Sequence, residues 1–268
     1  VRWIRWIIIV ALGLLGCGCA SHVPPADLGP PSGAPSADTS ELAAVLKEAV
    51  DGQGRIVPAA ARARESDLDA QLRRFAVTGP SATGELYPTP QDRLAYWYNV
   101  RAAWELKLAL LADLPAVLPA GLQRRELPVD GRRLTLQDID AIILGDHGWA
   151  ALAAGPGASM QRARLPAAPF APGDIDQQVR QRLSDLLADR RRLVIDIQRQ
   201  RVAVPPVLWE HRQAIIGEYA ARCHVADVNL LTALLPHATG SAHRRLQDAI
   251  GYRVGPAAQQ PILAMLED

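Results

Sequence analysis

Histidines, cysteines and the acids near them are the residues of this chain that could bind a metal or carry a nucleophile, and their spacing limits what they can do together. His211, His224, His237 and His243 follow one another at intervals of 13, 13 and 6 residues. None of these is the i, i+4 step that places two imidazoles on one helix face, so no metal site and no cofactor is expected. Cys223 directly precedes His224, so their side chains diverge, and Cys223 reads as a core residue on a helix face rather than a reactive thiol. His147, within Gly145-Asp146-His147-Gly148-Trp149, is the best single catalytic candidate, with Asp146 or Asp140 as its acid; the competing reading is a solvated loop histidine. No G-x-S-x-G or H-E-x-x-H occurs. In Gly155-Pro156-Gly157 a proline stands where a phosphate cradle needs a backbone donor, and no lysine follows.

A second group of polar residues sits on an apolar background. Thr89-Pro90-Gln91-Asp92 is a helix start with a capping threonine, a first-turn proline and an acid at the third position. The helix it opens should run to about Ala112 and bury Leu94, Trp97, Tyr98, Trp104 and Leu108, which makes it the central one. Asn99 on that helix is expected to be a buried hydrogen-bonding residue. Trp97, Asn99 and Arg101 could line a cleft, with Arg101 and Glu105 paired at i, i+4. Between Arg162 and Arg201 nine arginines face five acids; the alternatives are solvated faces or contact with anionic lipid or an envelope polymer.

Composition bounds the rest. The 268 residues are 49% hydrophobic, enough for a packed core, and 29 basic against 28 acidic residues argue against a nucleic-acid partner. Arg2 and Arg5 precede an apolar run, Trp6 to Leu15, of about 15 Å as helix, too short for a hydrocarbon core of about 30 Å. Its proportions are those of a secretory signal peptide. Leu14-Leu15-Gly16-Cys17 resembles the lipobox of bacterial lipoproteins, which implies lipid on Cys17 and a membrane partner through it; Cys19 is the rival acceptor, and a plain signal peptide or an uncleaved anchor is the alternative. Gly18 after the cysteine leans towards the outer rather than the inner membrane of a cell envelope. Residues 1–16 are thus read as signal peptide, 17–40 as a Pro/Gly/Ser-rich tether and 41–268 as one globular domain.

The globular part reads as α+β, a single domain of several helices on a small, mainly antiparallel sheet with two β-hairpins. Ser40 and Ser66 are expected N-caps, and Arg55-Ile56-Val57 a short extended piece. Glu126 to Leu134 is a hairpin with Asp130-Gly131 at its tip. Thr135 opens a helix expected to stop at Gly145, and Asp174 opens another with Gln177 in a capping box. Leu193 to Ile197 and Val202 to Val204 read as strands, followed by a helix from Pro206 carrying Leu208 to Tyr219, two more helices and a last strand at Tyr252 to Val254.

The segments Leu94-Ala95-Tyr96-Trp97-Tyr98-Asn99 and Leu134-Thr135-Leu136-Gln137-Asp138-Ile139-Asp140 resemble, respectively, the "(A)-F-W-I-N" helix and the "L-S-L-x-D-I-E" segment of the domain-of-unknown-function family numbered 547. The resemblance spans Leu42 to Val254 and implies the order of elements, not an activity. Where that family continues with a histidine, this chain has Ala141, and no cysteine lies between Cys19 and Cys223; the resemblance implies that Asp138, Ala141 and Met160 also line the cleft. The expected function is therefore a tethered envelope lipoprotein whose domain binds a partner, an envelope protein or polymer, or serves a structural role without catalysis. The alternative is an envelope hydrolase or transferase with a relocated catalytic site.

Overall fold

The computed structural model describes residues 28–29, 35–117, 119–159, 161–257 and 263–265. Cys17, Cys19, the apolar run before them, most of the tether and Met160 lie outside the described residues. The first helices are α1 (Ser40–Ala49), α2 (Pro58–Ala63) and α3 (Glu65–Val77). Ser40 is the first residue of α1 and not its cap; Thr39 holds that position, and the Ser40 hydroxyl donates to Asp38 instead. Ser66 likewise falls inside α3, because α2 already turns the chain at Pro58 and α3 follows from Arg64. Ile56 makes isolated bridges to Val50 and Met265, as an extended piece would.

α4 (Pro90–Leu111) is the spine. Thr89 and Asp92 form the full capping box: the Thr89 hydroxyl accepts from the Asp92 N–H at 3.1 Å, and the Asp92 carboxylate accepts from the Thr89 N–H at 2.9 Å. Every residue from Leu94 to Ala109 is buried, so other elements surround the helix on all sides. Its aromatic side chains lock neighbours in place: Tyr96 packs edge-on against Phe75 and Tyr87, and Tyr98 against Phe170.

β1 (Leu127–Val129) and β2 (Arg132–Leu134) form the expected hairpin, with Asp130 and Gly131 at φ 56° and 72°. Asp130 Oδ1 accepts from the Ser81 and Ala82 N–H groups at 2.8 Å each, which fixes the hairpin tip to the loop after α3. α5 (Leu136–Ala154) starts from a second capping box, Thr135 with Asp138, but does not stop at Gly145. It continues through a kink at Gly148, φ 80° and ψ 176°, because Trp149, Leu152 and Ala154 beyond it are buried.

α6 (Ile175–Ala188) follows a 3-10 turn; Gln178, not Gln177, reaches back to Asp174, at 2.8 Å. β3 (Val194–Asp196) and β4 (Arg201–Val204) form the second hairpin. The anticipated helix from Pro206 is two helices, α7 (Pro206–Glu210) and α8 (Arg212–Cys223), broken at His211. Cys223 ends α8 in solvent, a correction to its expected core position: α8 buries only Ile215, so its last turn has no core to face. α9 (Leu230–Leu234), α10 (Gly240–Asp248) and β5 (Arg253–Pro256) complete the chain, β5 running parallel to β4.

The domain is α+β, with ten helices and two small sheets among the described residues. The single mainly antiparallel sheet of the sequence reading is two separate ones: the β1–β2 hairpin and a mixed sheet ordered β3-β4-β5. The two sheets stay apart because they pack on different helices, β1 on α3 and β5 beside α7. One apolar core runs from Leu42 to Leu263, and among the described residues no helix is long and apolar enough to cross a membrane.

Candidate functional site

Four polar side chains interrupt the buried stretch of α4: Asn99, Arg101, Glu105 and Lys107. Each is matched. Asn99 forms a two-way bridge to one residue, Nδ2 donating to Phe170 O at 3.0 Å and Oδ1 accepting from Phe170 N–H at 2.7 Å. Lys107 Nζ lies 2.8 Å from Glu65 and 2.6 Å from Asp69. Arg101 and Glu105 form the anticipated i, i+4 pair at 2.9 Å, with side chains 3% and 4% exposed.

Burial of that pair is tolerable because further partners surround it. Arg101 Nε donates to Asp140 Oδ1 at 2.7 Å and Nη2 to Oδ2 at 3.4 Å, a fork on a carboxylate from α5. Arg101 Nη1 also donates to Pro156 O, and Glu105 Oε2 accepts from the Ala158 N–H at 3.3 Å. Arg162 closes the network through Nη2 to Asp140 Oδ2. Burial by itself would raise the Asp140 pKa, but Arg101 and Arg162 override it and hold the carboxyl below its ordinary range. Burial would also lower the Arg101 pKa, and Asp140 and Glu105 reverse that. Arg162 is held below its usual value by burial, with Asp140 opposing; its Nη1 is buried and without a hydrogen-bond partner.

This network floors a cleft of about 390 Å³. α5 contributes Gln137, Asp140, Ala141 and Leu144 to one wall, and the junction of α7 and α8 contributes Glu210 and His211 to another. The loop after α5 supplies Ser159, Gln161 and Arg162. That loop is held by the Gly157 N–H donating to Ala163 O at 2.9 Å and by the Ala264 N–H donating to Ala158 O at 2.9 Å. Gly157 is needed for close approach: a Cβ there would fall 2.5 Å from Arg162 Cβ.

Of the six anticipated lining residues, the structure places Arg101 and Ala141 at the cleft. Trp97 is in the core, Asn99 bridges Phe170, and Asp138 is spent on the Thr135 capping box. His147, Asp146 and Asp140 are not brought together. Seven residues place Asp140 and His147 on nearly the same helix face but about 10 Å apart along the axis. His147 lines a different hollow, with Leu94, Asp176 and Val179, where burial lowers its pKa against the pull of Asp146 and Nε2 has no partner. The other histidines are dispersed: His237 stacks edge-on against Trp149 at 5.0 Å, and His243 Nδ1 lies 3.2 Å from Leu235 O.

Sequence reading missed His211, Glu210 and Arg162 as cleft residues. Only the run of arginines carried any signal of Arg162, since Arg162 meets Asp140 across 22 residues of chain and the loop meets α4 across more than 50. Chemically, the cleft offers a charge-balanced floor, amide groups from Gln123, Gln137 and Gln161, one hydroxyl, one imidazole and the wall carboxylate of Glu210. Among the described residues no histidine ring is hydrogen-bonded to a serine, threonine or cysteine side chain. Comparison with protein-family models, with curated proteins and with solved structures gives no match.

Proposed function

We propose that this chain is a membrane-tethered envelope lipoprotein, held by lipid on Cys17, whose domain is a non-catalytic module binding a small polar ligand in the cleft between α4 and α5. The observation that carries the binding reading is the closed ion network on the floor. Asp140 is clamped by two guanidinium groups and kept ionised, so it neither takes up nor gives a proton near neutral pH. Glu105 is occupied by Arg101 and the Ala158 N–H. What remains for a ligand is the unpartnered Arg162 Nη1 and the amide, hydroxyl, imidazole and Glu210 carboxylate groups of the walls. The ligand would come from an envelope protein or polymer, and the outer membrane is favoured over the inner one by Gly18 after the acceptor cysteine.

Ligand-observed NMR with short peptides and oligosaccharides tests the cleft. Binding should survive His211→Ala and weaken at least about tenfold in Gln123→Ala with Gln137→Ala, each lost hydrogen bond being worth about 1 kcal/mol. For the tether, Cys17→Ser should release the protein from membranes or leave an unprocessed precursor; an unmodified Cys17 in the membrane fraction would refute it.

A second reading, a hydrolase or transferase with a relocated site, is favoured by one fact: Ser159, His211 and the acids Asp140 and Glu210 all line the same cleft. It requires ligand turnover that disappears in both Ser159→Ala and His211→Ala.

A further inference from the structure

The sheet β3-β4-β5 packs one face on the core through Val202 and Val204, both buried. Strand alternation turns the next residues the other way. Register aligns Asp196, Arg201 and Arg253 in one row across the three strands, with Val194, Ala203 and Gly255 in the row beside it. Arg201 and Arg253 therefore stand as neighbours on adjacent strands, both exposed, and neither enters an ion pair among the described residues. Like charges in that position repel and cost stability. The small residues Ala203 and Gly255 leave a trough of about 380 Å³ beside them.

Around this face the charge is lopsided. Residues 189–201 and 244–253 hold eight arginines against three aspartates, in a chain whose formal net charge is +1. Apolar side chains are exposed at its edge: Val194, in the row beside Arg201, is 44% exposed and lines both this trough and the next hollow, and Ile197 at the hairpin turn is 72% exposed. Arg190, Val194, Ile197, Arg245 and Tyr252 share one hollow beside the sheet, so the apolar and the basic groups are contiguous. Guanidinium groups engage phosphate oxygens through paired N–H donors, and aliphatic side chains beside them gain by entering the headgroup–acyl boundary. A soluble polyanion would match the arginines and leave Ile197 and Val194 in water.

We infer that the uncovered face of this sheet docks on an anionic phospholipid surface, with Arg199, Arg201 and Arg253 on lipid phosphates and Ile197 at the acyl boundary. This docking is separate from ligand binding in the cleft, and it does not require acylation of Cys17.

Amide hydrogen exchange of the full chain, mixed with nanodiscs of phosphatidylcholine alone or of phosphatidylcholine with phosphatidylglycerol, tests it. The turn at residues 196–200 should exchange about tenfold more slowly with the anionic discs, since each basic group near such a surface favours binding about fivefold. Raised salt should abolish the effect. Arg201→Gln with Arg253→Gln should lose the protection while melting no lower than the parent, because it removes a repulsion; Ile197→Ser, at an exposed position, should also lose it. Equal exchange with the two kinds of disc overturns the inference. So does equal protection by inorganic tripolyphosphate or a single-stranded oligonucleotide, which would assign the face to a soluble polyanion. Because the readout is the sheet itself, a failed tether at Cys17 does not imitate either result.

Discussion

Asp140 shows how much one side chain in this domain depends on the charges around it. Its carboxylate is held by Arg101 and Arg162, and removing its charge leaves two guanidinium groups with a single carboxylate between them. Asp140→Asn is expected to cost about 3–5 kcal/mol of folding stability, read from urea denaturation, whereas Gln137→Ala on the exposed start of α5 should change it by no more than about 0.5 kcal/mol. Asn99→Ala should also be costly, roughly 2–4 kcal/mol by the same measurement, since it strands both the N–H and the carbonyl of Phe170. Acid sensitivity follows from Asp189: burial raises its pKa, but the Arg191 N–H, Arg164 and Arg192 override this and lower it from 3.8 to about 2. A depressed carboxylate contributes stability that is fully present above the unfolded value and lost as pH falls through the folded one. The urea midpoint should therefore drop between about pH 4 and pH 2, and Asp189→Asn should flatten that part of the profile. At this scale the sequence was legible where the interaction is local: the Arg101–Glu105 pair is four residues apart on one helix. Arg162 was not, since only folding brings it to Asp140.

The elements show where local signals sufficed and where packing overruled them. Both capping boxes, at Thr89 and Thr135, form as their residues imply, because the hydrogen bonds lie within four consecutive residues. The Asp130-Gly131 turn does so for the same reason. The end of α5 is different. Gly145 reads as a stop, yet the backbone breaks at Gly148 and resumes, since burial of Trp149 and Leu152 repays continuing the helix. At φ 80° and ψ 176° Gly148 occupies backbone space that other residues enter only at a cost of about 1–3 kcal/mol. Gly148→Ala should lower stability by that amount in thermal or urea unfolding, while Gly145→Ala, in open space within the helix, should raise it by up to about 1 kcal/mol.

At the scale of the whole molecule, one apolar cluster links α1 to the segment at Leu263, so the folded domain is expected to unfold in a single transition. Calorimetry resolving two transitions would contradict this. By itself the sequence determined the α+β class, the central position of the most apolar helix and the two hairpins; each rests on hydrophobic period, capping or turn chemistry within a few residues. Tertiary structure alone decided that the hairpins belong to separate sheets, that β5 joins β4 in parallel, and that Cys223 faces solvent. It also decided the site. Arg101, Asp140, Arg162 and His211 come from four segments, and the chain between them carries no pattern that states their distance. Local sequence fixes which way a side chain leaves its own element; only the packing of elements on one another fixes which side chains it meets.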